Sequence, residues 1–121
     1  MSRILVAEDE LHILLLIRRI LESAGYTVIA TGDGDEALRL ALVERLNLLL
    51  LDIMLPGREG LEICREVKTS LGHEAPPIVL ISARGQQADV EAGLKAGADD
   101  YIIKPFSPRM LLARVEAALK D

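Results

Sequence analysis

Three acids, a hydroxyl and an ammonium each follow a short apolar run in this chain. Glu8 and Asp9 come after Ile4–Ala7, Asp52 after Leu48–Leu51, Ser82 after Ile78–Ile81, and Lys104 after Asp100–Ile103. If the runs are neighbouring strands, all five side chains meet at one edge. Three carboxylates held together repel, and without a cation one is driven towards protonation. A hard divalent ion relieves that strain. Mg2+ suits the site, because it needs only one or two protein carboxylates and keeps waters and phosphate oxygens as its other ligands; Mn2+ could substitute. A metal, an ammonium and a hydroxyl together match the three equatorial oxygens of a phosphoryl group in transfer. The expected acceptor is a carboxylate, giving an acyl phosphate. Asp52 ends the middle run of the trio and is the expected nucleophile.

The elements that must position these groups are readable from periodicity. Strands are expected at Ile4–Ala7, Tyr26–Ala30, Leu48–Leu51, Ile78–Ile81 and Asp100–Ile103. Helices are expected over 10–24, Asp35–Arg45, Arg58–Leu71, Gln86–Lys95 and from Pro108 onward, with Ser107 as N-cap. Strands separated by helices pair in parallel through right-handed crossovers. Apolar residues fill the first, third and fourth strands, as they do where helices cover both sheet faces. The fold class is therefore α/β, a doubly wound (βα)5 sandwich. In such sheets ligands bind beyond the carboxyl ends of the strands, at the topological switch point.

Composition removes other classes. With 121 residues, 50% hydrophobic and 27% charged, the chain is one globular domain rather than a disordered tail. Its longest apolar run, Ile13–Ile17, cannot span a membrane. Lys and Arg number 14 against 19 Asp and Glu, a net charge of −5, and the only aromatics are Tyr26, Tyr101 and Phe106. Direct nucleic-acid binding is not expected, since neither counterion release nor base stacking is served. The lone Cys64 can form no internal disulfide, which fits a cytoplasmic location.

Glu8-Asp9, Leu51-Asp52-Ile53-Met54-Leu55-Pro56-Gly57, Ser82-Ala83 and Lys104-Pro105-Phe106 together resemble the receiver domain of two-component response regulators. The resemblance runs from Arg3 to about Leu119, so one receiver domain is expected over 1–121. It implies the flavodoxin-like sheet order 2-1-3-4-5, Asp52 as phosphoacceptor, and Mg2+ held by Glu8, Asp9, Asp52 and the Met54 carbonyl. It further implies that Ser82 and Lys104 contact the phosphoryl oxygens. Lys104–Pro105 is expected to be cis. Tyr101 would be the switch aromatic, turning inward as Ser82 moves and altering the surface of helix 4, strand 5 and helix 5. The implied donor is a histidine kinase, a histidine phosphotransfer protein or a small phosphodonor. The implied recipient is a downstream effector or output domain, and the chain is either stand-alone or a piece of a larger regulator. A monomer or a weak phosphorylation-promoted dimer is expected.

Each residue also has a plainer reading. Glu8-Asp9 could cap the first helix, Ser82 could be an ordinary turn hydroxyl, Lys104 a solvated surface lysine, and Tyr101 plain core or surface. His12, His73 and Cys64 are read as surface or packing residues. The first helix is unusually apolar. Ile13, Leu16, Ile17 and Ile20 are expected on its core stripe, leaving Leu14 and Leu15 outward or on the rim. These two and Phe106 form a candidate docking patch for the kinase. Met54 and Arg84 lie where the family tunes phosphoform lifetime, with Arg84 expected to shield the phosphoryl group. Asp99, Asp100 and Arg114 resemble a charged dimer face, but Val90 and Met110 stand where a matching ion pair would be. Three other functions compete with this reading. An aspartyl-phosphate-type phosphatase wants a second acid where Met54 stands, and a phosphate-independent scaffold has no need of all five site residues. No G-x-G-x-x-G or P-loop motif follows the first strand to support a nucleotide site. No turnover of an external substrate is expected.

Overall fold

Five β-α units follow one another along the chain, and the computed structural model describes residues 2–120. The order is β1 (Arg3–Ala7), α1 (Leu11–Ser23), β2 (Thr27–Thr31), α2 (Gly34–Val43), β3 (Leu48–Asp52), α3 (Gly60–Leu71), a single 3-10 turn at Gly72–Glu74, β4 (Ile78–Ser82), α4 (Gln87–Lys95), β5 (Asp100–Ile103) and α5 (Pro108–Leu119). The strands form one parallel sheet in the order β2-β1-β3-β4-β5. This is the flavodoxin-like order, with its switch point between β1 and β3.

Side-chain alternation along the strands splits the core in two. In β3, Leu49 and Leu51 join one buried cluster with Leu38 of α2, and with Ile63, Cys64 and Val67 of α3. Leu48 and Leu50 join the other, with Ile17 and Leu21 of α1 and Leu111 and Val115 of α5. All four leucines are fully buried. Truncating any of them to Ala costs about 2–5 kcal/mol. A β3 built of leucines is thus the consequence of having helices on both faces.

Local chemistry sets the helix starts. The Asp33 carboxylate accepts from Glu36 N–H at 2.9 Å at the head of α2, and Ser107 Oγ accepts from Met110 N–H at 3.0 Å at the head of α5. Gln86 and Asp89 form a reciprocal capping box on α4. Helix α3 begins two residues later than the expected Arg58, at Gly60. A Cβ at Gly60 would collide with the Asp52 carbonyl oxygen, so the first turn of α3 sits against the backbone of the acid. Strand β2 runs one residue later than expected, because Tyr26 N–H still closes the end of α1 on the Leu21 carbonyl.

The face that α1 turns to the sheet differs from the expected stripe. Ile17 and Leu21 are fully buried, and Ile13, Leu14 and Ile20 pack beside them. Leu16 is 47% exposed and faces outward. A stripe centred on Ile17 and Leu21 takes its flank from Leu14, three residues before Ile17. Leu16, one residue before Ile17, lies about 100° round the helix.

Candidate functional site

Register brings the chemistry together. Ala7 pairs with Leu51, Asp52 with Ile81, and Ser82 with Ile103, so these four strands end nearly level. The residues at and just past those ends are Glu8-Asp9, Asp52, Ser82 and Lys104. All five expected groups therefore meet at the carboxyl edge of the sheet.

Asp52 is 4% exposed. Lys104 Nζ donates to its Oδ2 at 2.7 Å and Met54 N–H to its Oδ1 at 2.9 Å. Both carboxylate oxygens are thus held by named donors. Glu8 is 1% exposed. Its Oε2 accepts from Glu10 N–H at 3.1 Å, and its Oε1 lies 2.8 Å from Lys104 Nζ. That second contact is one of charge without hydrogen-bond alignment, which leaves Glu8 Oε1 a buried oxygen short of a donor. Glu8 does not cap α1, whose N-cap is Glu10 and has no side-chain cap bond. Asp9 beside it is exposed.

Burial raises the Glu8 carboxyl to about 7; the Lys104 and Glu10 contacts pull it down and the neighbouring Asp52 pushes it up. Burial alone would lower the Lys104 ammonium, but its hydrogen bond to Asp52 and its charge contact with Glu8 outweigh that and raise it. Lys104 therefore stays charged while Glu8 is poised to hold a proton. Ligand oxygens from Glu8, Asp9 and Asp52 lie within 4.8 Å of one another. Hard oxygen donors at this spacing, with one buried oxygen lacking a donor, fit a divalent cation of the Mg2+ class.

Ser82 is buried, and its Oγ accepts from Arg84 N–H at 3.0 Å. The Arg84 carbonyl in turn accepts from the Tyr101 hydroxyl at 2.7 Å. Arg84 was expected to act through its side chain, which is exposed; its backbone link between Ser82 and Tyr101 has no signature in sequence. Tyr101 itself is turned in, 6% exposed, and belongs to the first core cluster. The Lys104–Pro105 bond is cis. The Met54 side chain points to solvent, leaving its backbone at the site.

The turn of α1 changes which of the expected docking leucines are exposed. Leu15 is 52% exposed, as expected, but Leu14 packs on the core. Leu16 takes the outward position. Ile13, Leu16, Ala83, Lys104, Pro105 and Phe106 line a mainly apolar groove of about 360 Å³ beside the acid site. The three-residue spacing of Ile13 and Leu16 carried that signal, read with the opposite face. A second feature escaped sequence reading. Arg58 binds Asp35 at 3.1 Å, Glu62 at 3.0 Å and Glu66 at 2.9 Å, tying the loop after β3 to α2 and α3. Of the expected dimer-face charges, Asp100 pairs with Arg114 at 2.7 Å and Asp99 with Lys68 at 3.1 Å, all within the one chain.

Known proteins share this arrangement. A family model described as response regulator receiver domain matches residues 4–116. The transcriptional regulatory protein ResD of Bacillus subtilis (strain 168) is 42% identical over 98% of this chain and 48% of its own length. The alkaline phosphatase synthesis transcriptional regulatory protein PhoP of the same organism is 43% identical over 98% of this chain and 49% of its own. The chain thus spans about half the length of these curated relatives. The solved Francisella response regulator 1452 receiver domain superposes with a TM-score of 0.93 at 30% identity, covering 99% of this chain and 98% of that one. A match that runs from the first strand into the last helix, repeated in the fold of a solved relative, leaves one assignment: the chain belongs to the receiver domains of two-component response regulators.

Proposed function

We propose that this domain is a phosphoacceptor switch in which Asp52 takes a phosphoryl group from a histidine kinase, a histidine phosphotransfer protein or a small phosphodonor. The observation that carries this reading is the Asp52 carboxylate, buried at the end of the central strand and gripped by Lys104 on one oxygen and Met54 N–H on the other. An Asp52 oxygen attacks phosphorus, the P–N bond to the donor imidazole breaks, and the nitrogen leaves with the bonding pair and takes up a proton. Lys104 neutralises charge on the phosphoryl oxygens, and Ser82 turns its hydroxyl proton towards one of them. Glu8, Asp9, Asp52 and the Met54 carbonyl would hold Mg2+, which supplies charge neutralisation at the phosphoryl group when bound. The Arg84 side chain, at the rim, shields the acyl phosphate from water.

Tyr101 is the switch ring on this reading. Its hydroxyl bond to Arg84, whose N–H is bonded to Ser82, joins the ring to the site in two hydrogen bonds. The face formed by α4, β5 and α5 changes with it and is read by an output domain or a separate effector. Leu15, Leu16 and Phe106 form the kinase-facing patch. The domain works as a monomer or as a weak phosphorylation-promoted dimer, and it turns over no external metabolite. The test is transfer from acetyl phosphate into an alkali-labile bond that Asp52→Asn abolishes.

A further inference from the structure

Helix α4 contains one buried residue, Gly93, and it faces the Tyr101 ring. A Cβ built at Gly93 would lie 3.0 Å from Tyr101 Cδ2, 3.2 Å from Cε2 and 3.0 Å from Leu80 Cδ1. Those distances are tighter than ordinary carbon contacts, which sit near 3.5–4.0 Å. Leu80 is itself fully buried, on the central strand pair β3–β4. The ring is the neighbour with somewhere to go, since it is 6% exposed and its hydroxyl reaches out to the carbonyl of the exposed Arg84.

Glycine inside a helix is unfavourable relative to alanine. Gly93 has no positive φ that would require it. Its carbonyl accepts from Ala98 N–H at 3.1 Å, an ordinary helix-end bond that alanine would make equally. Val90, three residues earlier on the same face, packs on the same cluster as the ring. What glycine supplies here is therefore space, and the space is filled by the Tyr101 ring together with Leu80 Cδ1.

We propose that Gly93 is a positioning residue that gives Tyr101 its inward seat, so that α4 and the inward ring can occupy the sheet face together. The inference rests on Tyr101 being the switch ring. It adds that the balance between the inward and outward ring is set from α4, at a residue that touches neither the phosphoryl group nor the metal ligands. A side chain at 93 disfavours the inward ring. By linkage it disfavours whatever the inward ring favours, including the phosphorylated site.

The test uses the whole chain with Tyr26→Phe, which leaves Tyr101 as the sole tyrosine in a protein without tryptophan. Acrylamide quenching of Tyr101 fluorescence is compared with and without Gly93→Ala, alongside the rate of Asp52 labelling by acetyl phosphate and the Mg2+-induced rise in melting temperature. The expected result is a ring several-fold more accessible to quencher and labelling several-fold slower, with the Mg2+ response unchanged. A ring as shielded as in the parent overturns the proposal. Should Gly93→Ala prevent folding, the same change is made with Tyr101→Leu. Recovery of a cooperative melt supports a seat shaped for the ring, and equal failure in both backgrounds overturns it. If the parent takes no phosphoryl group yet Gly93→Ala exposes the ring, the seat stands and the phosphoacceptor reading falls.

Discussion

Lys104 Nζ stands 2.7 Å from Asp52 Oδ2, and the same ammonium is 2.8 Å from Glu8 Oε1. One cation thus bridges two buried acids. Removing one partner from such a group leaves charge stranded, and breaking a buried pair costs about 3–5 kcal/mol. Lys104→Met is expected to approach that loss near pH 8. The loss is smaller near pH 5, where Glu8 holds a proton. Urea unfolding at the two pH values measures it, and equal stability of mutant and parent near pH 8 would contradict the bridge. Phosphorylation of the mutant should slow by at least about tenfold, as when one charge-stabilising donor is removed from a transfer site.

Glu8 supplies a pH prediction. Its carboxyl ionises near 4.5 in the unfolded chain and near about 7 in the folded domain. Between those values the native state holds a proton that the unfolded state has lost. This group's contribution to stability therefore falls as pH rises from 4.5 through about 7 and stays low above it. The melting temperature of the metal-free protein should fall over that window, and Glu8→Gln should flatten the fall. Added Mg2+ should restore stability above it, since a ligand bound to the native state stabilises it. Parallel pH profiles for Glu8→Gln and its parent would refute the assignment.

The α1 patch gives a separable pair of rates. Leu15→Glu or Leu16→Glu places charge on an exposed apolar face without touching the acids. Transfer from a partner kinase should slow severalfold while labelling by acetyl phosphate holds steady. Leu14→Glu should instead destabilise the fold, because Leu14 packs on the core. Equal loss of kinase and small-donor labelling in Leu16→Glu would sink the docking role.

Arg84 lies two residues after Ser82 with its side chain in solvent. Arg84→Ala keeps the backbone bonds to Ser82 and Tyr101 and removes only the side chain proposed as the shield. Hydrolysis of the phosphoform should quicken several-fold, followed by loss of the added mass with time. An unchanged decay would place the control of lifetime elsewhere.

Cys64 offers a check on the core itself. It is fully buried, its Sγ donates to the Ala96 carbonyl, and burial pushes the thiol up to about 11. Iodoacetamide near neutral pH should leave it untouched in the native protein and label it once the chain unfolds. Rapid native labelling would show that α3 opens far more readily than this packing allows.

Much of this was legible in the sequence because the signals were local. Apolar runs fixed by Gly and Pro breaks located the strands, and the polar residue after each run located the site. The relation between α1 and the sheet was less legible. Helix 1 is apolar on nearly every side, so its pattern alone did not tell whether Leu14 or Leu16 flanks Ile17; the sheet decided in favour of Leu14. The Arg58 tether depends on Asp35, far away in sequence, and on backbone contact at Gly34, where a Cβ would collide with the Arg58 carbonyl oxygen. The fit of Gly93 to Tyr101 likewise exists only once α4 lies on β5. Long-range contacts of this kind carry no periodicity.

The central claim is that Asp52 accepts a phosphoryl group. Intact-mass measurement after incubation with acetyl phosphate tests it most directly, run with Mg2+, with a chelator, and on Asp52→Asn. The account predicts one added phosphoryl group that requires the metal and is missing in the mutant. No adduct under any condition, or an adduct that survives Asp52→Asn, would contradict it.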